Sequence, residues 1–571
     1  MLSRETYFEL QRELVIKAIE ELSFEEVLRP ERTAAGFELR TTEGTSYSFR
    51  GRIGAWGNLL IDRRSFKKVH HGEEVRPFTM ASFFREIQHQ CEMSDETLVR
   101  FLEEGNQTLF GDALKKAAVS ERSLRELATE KFQVLDQLLL GHPKLIMNRG
   151  RIGWGQSDLL AFAPERAPRF QLRWLAVHRD CCLWGLAPSR ELEQIYLDAL
   201  GPNELGPIRN VLPFEDYKLL CVHPWQWDQY VAVQFQEELV CGKLIDLGCL
   251  GKEYTPQASL RTLSPVTPGK YDLKLSLSIL NTSCVRGIPT KYIETGHAVS
   301  EALEEIIAAD PELGARVSVL KEVHAVKVRH AHFDGLAASP YRYKELLGCV
   351  WRENVETKLS PGELALPTGA LLFKSGDESL VAELMATSGL APAAWVESYF
   401  RAVVLPLYHL QLEHGLGLVS HGQNTILVHR QGVPERLIVK DFHGDLRIAS
   451  TSKHAARTEF QVLDRLPPQH LIHDLFTGHF ISVLRYLSSL LCEANLLDEG
   501  SFYRILGRVI RGYHGGRSDV PADVHLLRRE LERVLVNKVR FVAGYGEAPV
   551  RLKPMLGETL RNPLLQTEVH P

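Results

Sequence analysis

Two short polar blocks constrain this chain more than any other feature: His421-Gly422-Gln423-Asn424, and then Lys440-Asp441-Phe442-His443-Gly444-Asp445. Between them lie two runs of strand-forming residues, Thr425-Ile426-Leu427-Val428 and Leu437-Ile438-Val439. The turn signal Arg430-Gln431-Gly432-Val433-Pro434 separates the runs. The pattern predicts a hairpin with polar and acidic side chains at both strand ends. A hairpin fixes such groups relative to one another better than a loop does, and His, Gln, Asn and Asp placed this way suit a metal-bound nucleotide. Gln423, Asn424 and Asp441 offer oxygen ligands of the kind Mg²⁺ takes, and His421 could bind phosphate or orient a carboxylate.

At 571 residues the chain exceeds one hydrophobic core, and about 100–200 residues per domain implies three or four domains. A composition of 44% hydrophobic and 24% charged residues belongs to soluble globular proteins. The net charge of −5 and the lack of a basic stripe argue against nucleic acid as a partner. An anionic ligand must therefore be held by a few local cations rather than a global field. No apolar run approaches the ~20 residues of a membrane helix, and the N-terminus lacks the apolar core of a signal peptide. None of the nine cysteines forms a C-x-x-C pair. They read as small buried thiols in a reducing cytoplasm rather than metal ligands.

Helical spacing over residues 4–28 predicts an amphipathic opening helix, residues 37–62 alternate like strands, and residues 81–140 return to helix, ending at Gly141. From there to about 345 the chain is strand-rich and broken by Gly and Pro. Residues 393–414 are helical again, with Pro406 a kink or break. The pattern from 458 to 541 is helical, and the last thirty residues look extended. The expectation is an α+β fold in three parts: an α/β part over 1–135, a β-rich part over 136–350, and a helix-dominated part over 351–571 that carries the hairpin.

Three further polar clusters precede the hairpin. Gly141-His142-Pro143-Lys144 with Arg149 and Arg151 forms an anion site or a solvated basic loop. His223-Pro224-Trp225-Gln226-Trp227 reads as a pocket wall or an aromatic core plug, the plug being favoured. In the third, alternation along strands places Ser259 with Arg261, Lys274 with Ser276, and Thr282 with Cys284 on shared faces. Forked donors from arginine and a mobile lysine charge would cradle a triphosphate, although no Walker A loop occurs. A different reading takes His443-Gly444-Asp445-Leu446 as a small-molecule kinase loop. The asparagine usual five residues later is Ser450 here, and no Asp-Phe-Gly-like ligand follows.

Taken together and in order, His-Pro-Trp-Gln, Ser-x-Arg-Thr, a lysine before Thr-Ser-x-x-Arg, His-Gly-Gln-Asn and Lys-Asp-x-x-Gly resemble the NRPS-independent siderophore synthetases, the aerobactin-synthetase family. The resemblance spans roughly residues 141–553. It implies a cupped-hand architecture of thumb, fingers and palm with mixed and antiparallel sheets, often dimeric, with the active site between fingers and palm. It implies ATP- and Mg²⁺-dependent adenylation of a carboxylate, usually of citrate or a citrate derivative, then attack by an amine or alcohol to give an amide or ester. Carried onto this sequence, Ser259, Arg261 and Lys274 become phosphate ligands. Thr282 and Arg286 lie near the α-phosphate and substrate carboxylate. Gln423, Asn424 and Asp441 hold nucleotide and metal. His142, Arg286, His421 and Lys553 face the acid, and Arg286, His421 and Lys274 form the catalytic set, with His421 the first candidate for a base.

Two positions depart from the family pattern. A second His-Pro, common after the first, is Leu145-Ile146 here, and the Glu-Ala common before His-Gly-Gln-Asn is Val419-Ser420. An apolar residue at the latter place resembles the branch acting on an already derivatised citrate. A non-catalytic or ferric-siderophore reductase-like module is the alternative of another class. Its iron–sulfur cluster would need clustered C-terminal cysteines, and the last cysteine, Cys492, stands alone.

Overall fold

The protein is described here from a computed structural model covering residues 3–120, 122–139, 141–281, 284–442, 444–515, 520, 524–545 and 555–566. The opening helix forms over Arg4–Phe24, with the Ser3 hydroxyl accepting the Thr6 N–H at 3.1 Å. It buries Leu14, Val15, Ala18, Ile19 and Leu22. Strands follow at Gly36–Thr42, Thr45–Phe49, Gly51–Ile53 and Leu59–Ile61. The single helical stretch expected over 81–140 is instead four helices: Met80–Glu86, Asp95–Ser120, Leu124–Leu127 and Phe132–Gln137. Local capping accounts for the breaks. Ser94 accepts the Thr97 N–H at 3.1 Å, and Ser123 and Glu126 form a capping box. The last of these helices ends at Gln137 rather than against Gly141, and Leu140 lies outside the described residues.

The centre of the molecule is an eight-stranded antiparallel sheet. Its spatial order is Cys182–Leu186, Glu322–Val328, Gly348–Glu353, Tyr271–Leu275, Thr262–Pro265, Leu244–Pro256, Phe170–His178 and Tyr217–Val222. Lys274 pairs with Val350 and Leu273 with Leu263, which places the lysine strand inside the sheet. The cluster after Tyr217–Val222 is the aromatic plug. His223 accepts the Trp225 N–H at 3.1 Å and packs edge-on against Phe162 and Phe170. Gln226 pairs with Ser278 through both its amide groups at 2.8 Å and donates to Leu346 O at 2.9 Å. The plug thus pins the strand Leu277–Asn281, which leads toward Arg286.

The predicted hairpin exists as Thr425–Arg430 against Val433–Val439. Gln431 and Gly432 both carry positive φ, 49° and 79°, as a tight turn matching strand twist requires. The hairpin sits in a four-stranded sheet with Leu364–Pro367 on one side. On the other, Val317–Val319 runs parallel, with Val317 opposite Leu437. Pro406 breaks nothing. A π-helical stretch, Phe400–Val404, joins Pro392–Tyr399 to Leu405–His414, so the proline falls in the first turn of the next α-segment, where its missing N–H costs least.

The helical pattern of 458–541 is interrupted by strands Asp464–Leu466 and Glu530–Leu535. The latter pairs with Met555–Arg561 from the extended end. Pro468–Glu493 is long and apolar enough by composition to cross a membrane, but 83% of its apolar window is buried inside the protein, the mark of a core helix. Two buried carboxylates join the chain's ends. Glu21 takes Arg485 at 2.8 and 2.9 Å while that guanidinium lies over Phe24. Glu25 accepts the N–H groups of Val536, Asn537 and Lys538 at 2.9 to 3.1 Å, capping the helix Asn537–Ala543 with negative charge.

Burial pushes His223 and His324 down to about 3. The unfolded chain takes up those protons near pH 6.5, whereas the native chain takes them up only near 3. Stability therefore falls as pH drops through that window, because the unfolded state binds more protons. The urea midpoint should be lower at pH 5 than at pH 7.5. His324→Phe should flatten this dependence even while losing the bonds to Gly185 O and Tyr196. An unchanged slope would count against the assignment.

Candidate functional site

One cavity of about 470 Å³ lies where the eight-stranded sheet meets the hairpin sheet, a volume suited to a nucleotide-sized ligand. From the eight-stranded sheet and a turn within it come Ser259, Arg261 and Lys274, and Arg286 comes from the short strand Cys284–Arg286, which pairs with Leu277–Asn281 in a smaller sheet. From the hairpin side come His421, Gln423, Asn424, Asp441 and Asp445. His142 reaches it from the segment after Gly141. The expected strand face carrying Ser259 and Arg261 is instead a tight turn between Leu244–Pro256 and Thr262–Pro265, with Leu260 at φ 68°. Ser259 accepts the Thr262 N–H at 3.1 Å, and Asp136 takes the Ala258 N–H at 2.7 Å, so the turn is held at both ends. A turn brings both side chains to the cavity as a strand would, by a different backbone path.

At the hairpin's entry, the Gly422 carbonyl accepts the Gly369 N–H at 2.8 Å, and a Cβ built on Gly422 would lie 2.7 Å from Gly369 Cα. Only glycine permits that approach. Next to it, the Gln423 N–H donates to His421 Nδ1 at 3.3 Å. The nitrogen that accepts cannot carry the ring proton, so the neutral imidazole bears it on Nε2 and acts as a donor there. At the exit, Asp441 has φ 69°, a left-handed conformation rare for a residue with a side chain and typical of constrained functional positions.

The electrostatics are paired across the cavity. Lys274, buried on its strand, forms an ion pair with Asp441. Burial alone would raise the Asp441 carboxyl, but Lys274, Arg352 and Arg261 outweigh it and hold the group well below the usual carboxylate range. Asp445 goes the other way: burial and the negative charge of Asp441 push it up, although Asn424 donates to it at 3.0 Å. Burial lowers His421 and pushes His142 down to about 3, so both rings are neutral at neutral pH. They meet edge to face with centroids 6.2 Å apart.

Ten residues expected at the site thus line one cavity: His142, Ser259, Arg261, Lys274, Arg286, His421, Gln423, Asn424 and Asp441, together with Leu145 from the departures noted above. Thr282 and Lys553 lie outside the described residues, as does His443. Arg149 and Arg151 do not take part; both pair with buried Glu165. Val419 is absent from the lining and serves through its backbone, donating to Asp445 O at 2.8 Å. Sequence reasoning missed Asp445 as part of this site, and also Ser482, Val536, Val539 and Arg540. Asp445 was visible only as a kinase-like motif. Ser482, Val539 and Arg540 lie in helical segments and Val536 at a strand-to-helix junction, none with a local signature.

Comparison with known proteins follows the same lines. The IucA / IucC family profile matches residues 131–373, and a profile described as ferric iron reductase FhuF-like transporter matches residues 393–548. The chain belongs to the IucA/IucC family and is a siderophore-synthesising ligase. It is 34% identical to aerobactin synthase of Vibrio mimicus, with 98% of this chain and 97% of that protein covered. It is also 34% identical to aerobactin synthase of Escherichia coli, covering 97% of each. Its fold matches that of aerobactin synthetase IucC from a hypervirulent pathotype of Klebsiella pneumoniae with a TM-score of 0.85, 32% identity and 99% of both chains covered. Within 393–548 Cys492 is the lone cysteine, so that segment lacks the thiolates an iron–sulfur cluster would need.

Gly422→Ala should force the two backbones apart. Overpacking of this kind costs about 1–3 kcal/mol. The expected result is a lowered melting temperature together with loss of ligase turnover, measured on the same preparation. Wild-type activity in that variant would show that the close approach to Gly369 is dispensable.

Proposed function

We propose that this enzyme uses ATP and Mg²⁺ to adenylate a carboxylate of citrate or of a citrate derivative, and then passes the acyl group to an amine or alcohol, working as a cytoplasmic homodimer. The observation that carries this reading is the convergence of Lys274, Arg261 and Arg286 with Asp441 and Asp445 on one cavity. A carboxylate is a weak nucleophile toward a triphosphate because two anions must meet. The cations lower that repulsion and stabilise charge growing on the α-phosphoryl oxygens. Arg261 is held by its bond to Gly287 O, beside Arg286, so its charge is positioned before ligand arrives.

In the first step a substrate carboxylate oxygen forms a bond to the α-phosphorus and the bond to the β-phosphate oxygen breaks, releasing pyrophosphate. In the second, the amine nitrogen or alcohol oxygen bonds to the acyl carbon, AMP leaves with the electron pair of the broken bond, and the nucleophile's proton passes to solvent. His421 presents Nε2–H, which suits a hydrogen bond to an anionic oxygen and makes it a poorer base than the residue type suggests. Ser259 offers a hydroxyl to phosphate. Thr282 and Lys553 keep the phosphate and polycarboxylate roles that the resemblance implies.

The residues present fit a divalent cation. Asp441 and Asp445 share the cavity, and burial together with the charge of Asp441 destabilises Asp445 as an anion there. A dication would relieve that. Asp441, Asp445, Asn424 and Gln423 supply the oxygen atoms Mg²⁺ prefers. Bound there, the ion would neutralise phosphate charge during adenylation.

Leu145, Leu535, Val536 and Val539 form an apolar side of the same cavity. That wall supports an acid already carrying a hydrocarbon chain over free citrate.

Isotope exchange between pyrophosphate and ATP, run across a panel of carboxylic acids, tests the reading. Exchange should depend on a citrate-type acid and stop with EDTA, and net turnover should yield AMP. ADP as product would favour the kinase reading through Asp445. Arg286→Ala should lower exchange at least about 100-fold, the scale of one lost charge-stabilising donor, with the melting temperature unchanged. Undiminished exchange would remove Arg286 from the site.

A further inference from the structure

A second constellation lies apart from the cavity. Asp310 follows the helix Gly296–Ala309, while His409 and His414 belong to the helix Leu405–His414. None of the three lines the ligase cavity. One carboxylate oxygen, Asp310 Oδ2, faces His409 Nε2 at 3.0 Å and His414 Nε2 at 2.9 Å. All three atoms lie within 4.8 Å of one another. Both histidines are buried, and Asp310 is part-exposed, which leaves a path from solvent.

We propose that Asp310, His409 and His414 bind one divalent transition-metal ion of the zinc class, clasping the end of the helix Gly296–Ala309 to the helix Leu405–His414. Two imidazoles and one carboxylate are a donor set such ions take, with a fourth position left for water. Zinc–nitrogen and zinc–oxygen bonds of about 2.0–2.2 Å place tetrahedral ligands about 3.3–3.6 Å apart. The observed 2.9 and 3.0 Å separations need to open by about 0.3–0.7 Å, within reach of side-chain rotation.

The surroundings are also those of a ligand set. Metal-binding imidazoles engage a partner through the nitrogen that does not bind, which fixes ring orientation. His409 Nδ1 meets the Tyr513 hydroxyl at 2.7 Å, and His414 Nδ1 meets His454 Nε2 at 3.0 Å. The far oxygen, Asp310 Oδ1, accepts the N–H groups of Glu312 and Leu313 at 2.8 and 3.2 Å. Each donor therefore keeps its outer partner when its inner atom turns to a metal. The two ligand rings move their proton from Nε2 to Nδ1, the Tyr513 hydroxyl rotates, and His454 likewise moves its proton from Nε2 to Nδ1 so that its Nε2 is free to accept. Tyr513 and His454 then accept where they now donate, and the hydrogen bonds survive with their direction reversed.

The test uses the full chain, stripped with chelator and then equilibrated with Zn²⁺ by dialysis, with metal counted by mass spectrometry. Wild-type protein should retain one ion per chain at this site, and Co²⁺ in its place should give a visible absorption band. Asp310→Asn keeps the acceptor shape and the helix contact but loses the charged ligand. It should bind Zn²⁺ at least about 100-fold more weakly, lose the cobalt band and retain pyrophosphate exchange. His454→Ala, a partner one step removed, should weaken binding about 10-fold. A wild-type chain that retains no zinc, or an Asp310→Asn chain that retains as much, overturns the proposal and leaves the cluster as a hydrogen-bonded pin.

Discussion

The Lys274–Asp441 ion pair is the point on which the site's architecture turns. Lys274 comes from the interior of the eight-stranded sheet, Asp441 from the end of the hairpin, and the two sheets approach each other around this contact. Removing two charges from water is costly, and the attraction between them repays this only with good geometry and further partners. Arg261 and Arg352 supply those partners electrostatically. A pair of this kind is weak evidence for stability and better evidence of function. It holds a cationic charge and a carboxylate side by side, already withdrawn from water, as the proposed adenylation chemistry requires.

The same contact explains why no single stretch of chain holds the site. The segment matched by the IucA / IucC profile contributes His142, Arg261, Lys274 and Arg286. The segment matched by the FhuF-like profile contributes His421, Asp441, Asp445, Ser482 and Arg540. Arg261, Lys274 and Arg286 come from the first and Asp441 and Asp445 from the second, so the cavity with both charges arises only when the two segments dock. The N-terminal helix takes part indirectly. Residues just beyond its end fix the C-terminal elements, since Glu25 caps the helix carrying Val539 and Arg540.

What could be read from sequence was what is local. The hairpin was legible because alternation, a Gln-Gly turn and strand-end polar residues all point the same way, and a two-residue turn fixes register on its own. The cationic cluster was legible as residue types, although the backbone under Ser259 and Arg261 is a turn rather than a strand. The turn is decided by Asp136 and Gln257, far from it or hidden in it, and not by the alternation of its own residues. Helix breaks at Ser94 and Ser123 were present in the sequence as caps and were overridden by a long apolar periodicity. Val536 and Arg540 could not be placed, because their partners Glu25 and Glu104 lie hundreds of residues away in chain order; Asp445, tied locally to Asn424, was visible only as a kinase-like motif, and Ser482 carried no local signature. Leu145 was recognised as a departure and does face the cavity. Val419 was recognised too, but its role is carried by its backbone.

The stretch Phe476–Leu484 runs with π geometry between two α-segments, and Ser482 on it borders the cavity. A π-turn accommodates more residues per revolution than the α-helix around it, so it sets the angular phase of everything downstream. The same residues wound as regular α-helix would turn the following segment relative to the preceding one. Ser482 would swing off the cavity wall, and Arg485 would leave Glu21. The wide coil is therefore the gear that keeps the core helix meshed with both the cavity and the opening helix.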